Sequence, residues 1–572
     1  MSQIRRVLIS VCIALSATAL IAQTPGTTTT TQQEQKEETY TSPVTAETDK
    51  DVSDPRAMKL SLDDAIRTAV GQNLGVQVTR YGYREAGESL REAYGPFDWF
   101  TTADIEHSSR ENPVSSQATA SASRNTFVNL GVSQLLPTGG TYSIDFNNNR
   151  LVQTGGFTTV SPAFGSSLSL GLQQPLLRNF GMDINRRQIT IARNTLGINS
   201  EEFRRILINT VVSTEQAYLD LVYARRFVDV QKEALFLARD QARITQIRIN
   251  VGASAPLDIL QPRVQIATTE ESLIAAVAAV RDAEDQLRAL LNLPQEEWDR
   301  PIVPTEAVTY NPMTINVQDS LARAFDLRPE LRESQLTTAN AQVQYTYARN
   351  QVRPKLDAIV NYTAAGLGGR APIVDPATDQ IIGFDSTGLP HAVGQVLGND
   401  FPSWTVGVLV GVPVLNIGAR AEAKRAELEV DRTRVLTDQT RQSIALEVRN
   451  TARAIDTAAK EITATKTARE AAEQNLDAER KRYENGMTTI FQVLQIQQQL
   501  SDARARELQA LVAYNKAVSA YHRAVGDLLD VRNIKVEQEP VQEPRLFTFF
   551  DRYSWLNYEK QQSNANTEEK KK

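Results

Sequence analysis

One cysteine, at position 12, and three histidines are all that 572 residues offer for thiol or imidazole chemistry. Cys12 lies in an amino-terminal stretch that reads as a cleaved secretory leader. Arg5 and Arg6 precede an apolar run over 7–14, and small residues follow over 17–22. Ser10-Val11 before the cysteine is not a lipoprotein-type cleavage box. The mature chain is therefore expected to lack cysteine, and with it disulfides, thiol catalysis and a lipid anchor. His107, His391 and His522 are far apart and in no metal-ligand spacing. No phosphate loop, nucleophile elbow or cofactor fingerprint occurs, so the reading is no enzyme, no metal and no cofactor. Positive charge is also short: the formal net charge is −6 and no basic patch stands out, which argues against nucleic acid as a partner. Beyond the leader no apolar run approaches the roughly 18 residues of a membrane helix.

What is present is a short stretch that occurs twice. The first copy is Arg248-Ile-Asn-Val-Gly252-Ala-Ser-Ala-Pro-Leu-Asp258-Ile-Leu-Gln261, the second Arg482-Tyr-Glu-Asn-Gly486-Met-Thr-Thr-Ile-Phe-Gln492-Val-Leu-Gln495. Each joins two long helical patterns. Gly252 and Gly486 stand where a helix would end in a left-handed turn, which only glycine adopts without steric cost. Ser254, or Thr488 and Thr489, are candidate caps for the following helix, and Pro256 suits its first turn. Each copy reads as the tip of a helical hairpin, a shape that any helical bundle also contains.

Residues 23–57 are rich in Thr, Gln and Glu and read as a disordered linker. Helical periodicity begins near Leu60, and a second helix ends near Tyr94. At Pro96 the period becomes two. Phe97, Trp99, Thr101, Ala103 and Ile105 alternate with polar residues, as do Val128, Leu130 and Val132, then Tyr142, Ile144 and Phe146, then Leu168, Leu170 and Leu172. Such strands suit either a soluble sandwich with an apolar core or a membrane barrel with a wet lumen, and alternation alone does not choose. A helix over 184–250 follows with almost no breaker, roughly 100 Å of it. Then come the first tip, a return helix over 257–291 and a proline-marked connector over 293–317.

The order then repeats. Arg328-Pro-Glu-Leu331 opens a helix ending at Pro354, and Leu356, Ala358, Val360 and Tyr362 alternate. A Gly-rich stretch over 366–402 reads as a loop, and Val406, Val408, Val410 and Val412 alternate after it. A long helix over 419–484, the second tip and a return helix to about 529 complete the copy. The chain thus divides into repeats over 58–292 and 318–530, the connector between them, and a carboxy-terminal segment over 531–572 with an aromatic island at 547–558. Pro96 lies 156 positions before Gly252, and Pro354 lies 132 before Gly486. The 24-residue excess is the size of one additional strand hairpin. Strands recurring between such long helices fit an elongated assembly, with strands at one end and hairpin tips at the other.

This order, together with the Arg-x-x-x-Gly tips, Arg328-Pro-Glu-Leu331, Gln173-Gln-Pro-Leu176 and Gly411-Val-Pro-Val-Leu415, resembles the TolC family of outer-membrane efflux ducts over 60–529. The resemblance implies a mixed α and β membrane protein of the Gram-negative outer membrane that extends into the periplasm. It implies a homotrimeric β-barrel in lipid, continued by a long α-helical coiled-coil barrel, with an equatorial collar built from 293–317 and the carboxy-terminal stretch. It also implies passive export of small molecules or polypeptides, as in tripartite efflux or type I secretion. The partners would be a periplasmic adaptor and an inner-membrane RND, ABC or MFS pump. Family members usually contribute four strands per chain; six candidates occur here, which means a wider barrel or a hairpin lying outside it.

Aligning the tips carries the family's functional positions across. Its two acidic gate residues fall on Gln492 and Gln495, which can narrow a bore and hydrogen-bond but bring no like-charge repulsion and little attraction for divalent cations. Asp258 and Tyr483 occupy tether positions, and Thr488 stands where the family has arginine, so the ionic tether is missing. Asp258 is equally well explained as a carboxylate favoured by the helix dipole, and Gln492 and Gln495 as a solvated helix face. Adaptor contact is expected on Val251, Gly252, Ala253, Asn485, Gly486 and Met487. The alternative is a periplasmic coiled-coil protein without transport activity, which would need no amphipathic strands between its helices.

Overall fold

A computed structural model describes residues 55–543, except 112, 114–119, 156–158, 377–379 and 537–539. The leader, most of the 23–57 linker and the aromatic island at 547–558 lie outside the described residues. Strand β1 (Met58–Leu60) leads into helices α1 (Leu62–Gln72) and α2 (Leu74–Glu92). Ser61 caps α1 by accepting the Asp64 amide at 3.1 Å, and Asn73 caps α2 through the Gly75 amide at 2.9 Å. Four strands follow: β2 (Phe100–Glu111), β3 (Ala122–Leu135), β4 (Thr141–Thr154) and β5 (Ala163–Pro175). A short turn of helix, α3 (Met182–Asn185), then opens the 64-residue α4 (Arg187–Asn250). Its return helix is α5 (Leu260–Leu291), and β6 (Ile302–Pro304) lies in the connector.

The second copy begins with α6 (Val317–Leu327) and α7 (Pro329–Gln351). Strand β7 (Lys355–Val374), the short β8 (Ile381–Ser386), helix α8 (Leu389–Gly398) and strand β9 (Phe401–Gly411) follow. The 68-residue α9 (Ile417–Glu484) and its return helix α10 (Ile490–Val525) form the second hairpin, and α11 (Leu528–Val531) ends it. At 1.5 Å per residue α4 and α9 each reach roughly 100 Å. All six expected strands occur, in one antiparallel sheet ordered β2-β3-β4-β5-β7-β9. The stretch over 366–402 is not a loop: β7 runs on to Val374, pairs there with β8, and α8 folds back over the sheet. Its glycines hid this. Side chains at Gly366 and Gly368 would collide with the Ala392 and Gly388 carbonyls of the α8 segment, so the pattern lacks the apolar residues that usually announce a strand.

Packing of helix on helix supplies the core. Val228, Leu235, Leu273 and Ala276 close the α4–α5 hairpin, and Leu476, Tyr483, Val493 and Leu500 close α9–α10 near its tip. Midway along, α1 buries Ala65 and Ala69 against Leu221 of α4 and Leu287 of α5. β1 pairs there in parallel with β6, tying the amino end to the connector, and Tyr514 donates to the Asn311 carbonyl at 2.6 Å. The carboxy-terminal segment runs from there toward the sheet: Leu528, Leu529 and Ile534 pack on α1 and α4, and Glu543 joins Tyr94 and Arg193.

Candidate functional site: the sheet faces and the hairpin tips

Register sorts the alternating residues into two faces. One row runs straight across the six strands as Trp404–Tyr362–Leu170–Ile144–Val132–Thr101. The next on the same face is Pro402–Ala364–Leu168–Phe146–Leu130–Ala103. The intervening rows point the other way: Ser403–Thr363–Ser169–Asp145–Gly131–Thr102, and Thr405–Asn361–Gly171–Ser143–Ser133–Phe100. Ser, Thr, Asn, Asp and Gly dominate this second face and bond along it, Ser169 with Thr363 at 3.1 Å and Asn129 with Asp104 at 3.3 Å. On the apolar face Trp404, Val406 and Val408 are 74%, 66% and 63% exposed. A sandwich would cover that face with a second sheet; among the described residues α8 packs over it, at the end far from the helices. An exposed apolar face backed by a polar one fits the cross-section of a barrel wall in lipid. No helix among the described residues is long and apolar enough to cross a membrane.

At the far end both tips have the same backbone. Gly252 has φ +74° and Gly486 φ +72°. In the first, the Gly252 amide donates to the Ile249 carbonyl at 3.0 Å and the Ala253 amide to Arg248 at 2.8 Å. In the second, the Gly486 amide donates to Tyr483 at 3.0 Å and the Met487 amide to Arg482 at 2.9 Å. This paired closure satisfies carbonyls that a helix end otherwise leaves open. Neither glycine has a heavy atom within 4 Å of where a Cβ would stand, so conformation alone requires glycine there. Val251 and Met487 project from the tips, 72% and 71% exposed. Neither Ser254 nor Thr489 caps the next helix; a 3₁₀ turn over Pro256–Ile259 enters α5, and Thr489 holds the N-cap position of α10 without a side-chain bond.

Of the expected tether residues, Asp258 and Thr488 are engaged within their own hairpins, and Tyr483 alone meets the other tip. Asp258 accepts the Ala255 amide at 3.0 Å within its own first turn. Thr488 contacts both Glu479 and Gln492. Gln492 and Gln495 both lie on the exposed face of α10. The residue that joins the two tips is Arg248, which sequence reasoning registered only as part of the repeat. Its guanidinium donates to the Tyr483 carbonyl at 2.8 Å and stands 4.6 Å from the Tyr483 ring centre. A cation thus sits at the carboxy-terminal end of α9, where the dipole favours it.

Higher along the shaft a charged cluster repeats the connection. Arg504 of α10 bridges Glu233 of α4 at 2.6 Å and Glu473 of α9 at 3.1 Å, and Arg469 bridges Glu473 at 2.8 Å and Glu507 at 2.6 Å. Burial raises the pKa of Glu473, but hydrogen bonds from Arg504 and Arg469 outweigh it and hold the carboxyl below its usual range. Near the sheet, bonding from Arg193 likewise keeps Glu543 low, while burial pushes Tyr94 up. Among the described residues no group of His, Cys, Asp or Glu could hold a metal ion.

A barrel-type sheet continued by two duplicated helical hairpins defines an outer-membrane channel of the efflux class. The chain belongs to the Outer membrane efflux protein family, which it matches over 114–293 and 320–527. It is 24% identical over 368 residues to Outer membrane protein TolC of Escherichia coli (strain K12), spanning 61% of this chain and 67% of that one. In three dimensions it resembles the CmeC outer membrane channel of Campylobacter jejuni, with TM-score 0.58 and 14% identity over 84% of this chain and 87% of that one. VceC of Vibrio cholerae gives TM-score 0.57 and 14% identity over 81% and 96%. The family resemblance read from the tip motifs is borne out, and the chain is an outer-membrane protein that extends into the periplasm.

Proposed function

We propose that three copies of this chain close a β-barrel in the outer membrane and a helical tunnel beneath it, and that the assembly is a passive exit duct. It would serve a tripartite efflux or type I secretion system, receiving small molecules or polypeptides from a periplasmic adaptor and an inner-membrane RND, ABC or MFS pump. The observation that carries this reading is the sheet: six strands with one apolar face, one polar face and two unpaired edges. Open edges are not tolerated in hydrocarbon, so the sheet must be closed by further copies. A coiled-coil protein without transport activity gives no account of these strands.

The adaptor would dock on Val251, Gly252 and Ala253 of the first tip and Asn485, Gly486 and Met487 of the second, where exposed apolar side chains flank rigid turns. Gln492 and Gln495 would line the narrowest point of the closed tunnel, with Asp258, Tyr483 and Thr488 holding the tips in place. No catalysis and no cofactor enter the mechanism; direction comes from the pump. The test is purification from outer membranes, native mass measurement and recording in planar bilayers. A trimer with discrete conductance steps is expected. A monodisperse monomer, soluble without detergent, would refute the proposal.

A further inference from the structure

We propose that all six strands stand in the barrel wall, so that the closed assembly has eighteen strands, with β2 of each copy pairing to β9 of the next. This rests on the three-copy reading above. The question is whether the β2–β3 hairpin lies in the wall or outside it, and four observations place it inside. Its pairing to β4 is unbroken from Ala122↔Thr154 to Leu135↔Thr141, and β2 pairs β3 from Phe100↔Ser133 to Glu111↔Ala122. Its outward residues Val132 and Leu130, then Thr101 and Ala103, continue the two apolar rows of the other four strands without changing face. Its inward side is fitted to the rest of the lumen face. Gly131 has no Cβ, and one built there would stand 2.6 Å from the Thr102 hydroxyl and 2.8 Å from the Asp145 carboxylate on the flanking strands. Finally, its base is pinned: Gln134 donates to the Phe97 carbonyl at 2.7 Å and accepts from the Tyr142 hydroxyl at 2.7 Å.

The two free edges complement each other. β2 has 12 residues and β9 has 11, and they run in opposite directions, so successive copies join antiparallel like every other neighbour in the sheet. Exposed apolar side chains stand at the base of both edges: Phe100 at the start of β2, and Val412, Val414 and Leu415 after β9. A twelve-strand wall would require β4 to give up its whole ladder with β3 and offer that edge to the next copy. Eighteen strands spaced about 4.8 Å apart and tilted about 40° enclose a backbone cylinder roughly 36 Å across, against roughly 24 Å for twelve. The barrel is then a wide mouth, and the narrow part of the path belongs to the helices.

The mature chain's expected lack of cysteine makes the seam directly testable. Ala103→Cys is combined in turn with Val406→Cys, Val408→Cys and Val410→Cys, all on the apolar face, and oxidised in outer membranes. Ile144→Cys on β4 is combined with the same three. Cross-strand neighbours lie within disulfide reach, so one Ala103 combination should give covalent dimers and trimers on non-reducing gels, and the Ile144 series none. Crosslinking by Ile144 and not by Ala103 would overturn the eighteen-strand wall and leave the duct intact. A native trimer in which neither series crosslinks would overturn the seam alone. A native monomer would overturn both proposals.

Discussion

Removing the Arg248 side chain should loosen the two hairpin tips from each other without unfolding either. The guanidinium makes one charge-assisted hydrogen bond to the Tyr483 carbonyl and one contact with the Tyr483 ring. The first is worth about 1.5–3 kcal/mol and the second about 0.5–2 kcal/mol. Freeing the side chain returns up to about 2 kcal/mol of rotamer entropy. Arg248→Ala should therefore cost a net ~1–3 kcal/mol, which at tenfold per 1.4 kcal/mol shifts the tip-separation equilibrium roughly 5- to 150-fold. The Gly252 and Gly486 closures use main-chain groups and survive the change. Amide exchange should rise over 244–256 and 480–492 and remain unchanged along the upper shaft. In bilayers the open fraction should rise in step. Arg248→Lys keeps the charge but not the planar fork, and should fall between the two. A double-mutant cycle with Tyr483→Leu isolates the ring contact. Unchanged exchange and unchanged gating in Arg248→Ala would refute the assignment of this residue as the connector of the tips.

Three further outcomes follow from other parts of the molecule. Gln492→Asp should introduce block by divalent cations in bilayer recordings, with wild type showing little; strong block of wild type at low concentration would contradict a glutamine-lined constriction. Gly366→Val forces a side chain into the Ala392 carbonyl, and the overpacking should cost about 1–3 kcal/mol and lift α8, read as faster proteolysis within 389–398. Because the pKa of Glu473 is depressed in the folded shaft, its contribution is present above the unfolded carboxyl value near about 4.3 and is lost as pH falls through the lower folded value. Thermal unfolding of Glu473→Gln against wild type should differ modestly at pH 7, by at most about 1 kcal/mol per screened pair, and the difference should vanish in acid.

How much of this was legible in the sequence depended on how local each cause is. The tips were legible because a left-handed helix end demands one residue type at one position, and Gly252 and Gly486 meet that demand within six residues of chain. All six strands were visible through period-two alternation, yet each was read short. Asn148 and Arg150 stand on the outward face of β4 beyond Phe146, so the pattern turns polar before the strand ends. Helix α8 was illegible: Leu389-Pro-His-Ala-Val-Gly-Gln-Val-Leu-Gly398 carries two glycines and a proline, and its helical form depends on packing against the glycines of β7.

The functional surfaces were less legible because their partners are distant. Arg248 and Tyr483 are 235 positions apart, and a duplicated motif indicates that an arginine recurs without indicating what it reaches. Arg482, the same position in the other copy, turns to Glu479 in its own helix instead. Duplication preserved the main-chain turn, which each hairpin needs for itself, and let the side chains diverge where one hairpin must meet the other. Gln492 and Gln495 extend that argument. Helical periodicity assigns them to an exposed face of α10, but what such a face meets in the proposed assembly would be set by other copies of the chain. The sheet is different: its two faces and two free edges are properties of one chain, and the proposal of closure by further copies rests on them alone.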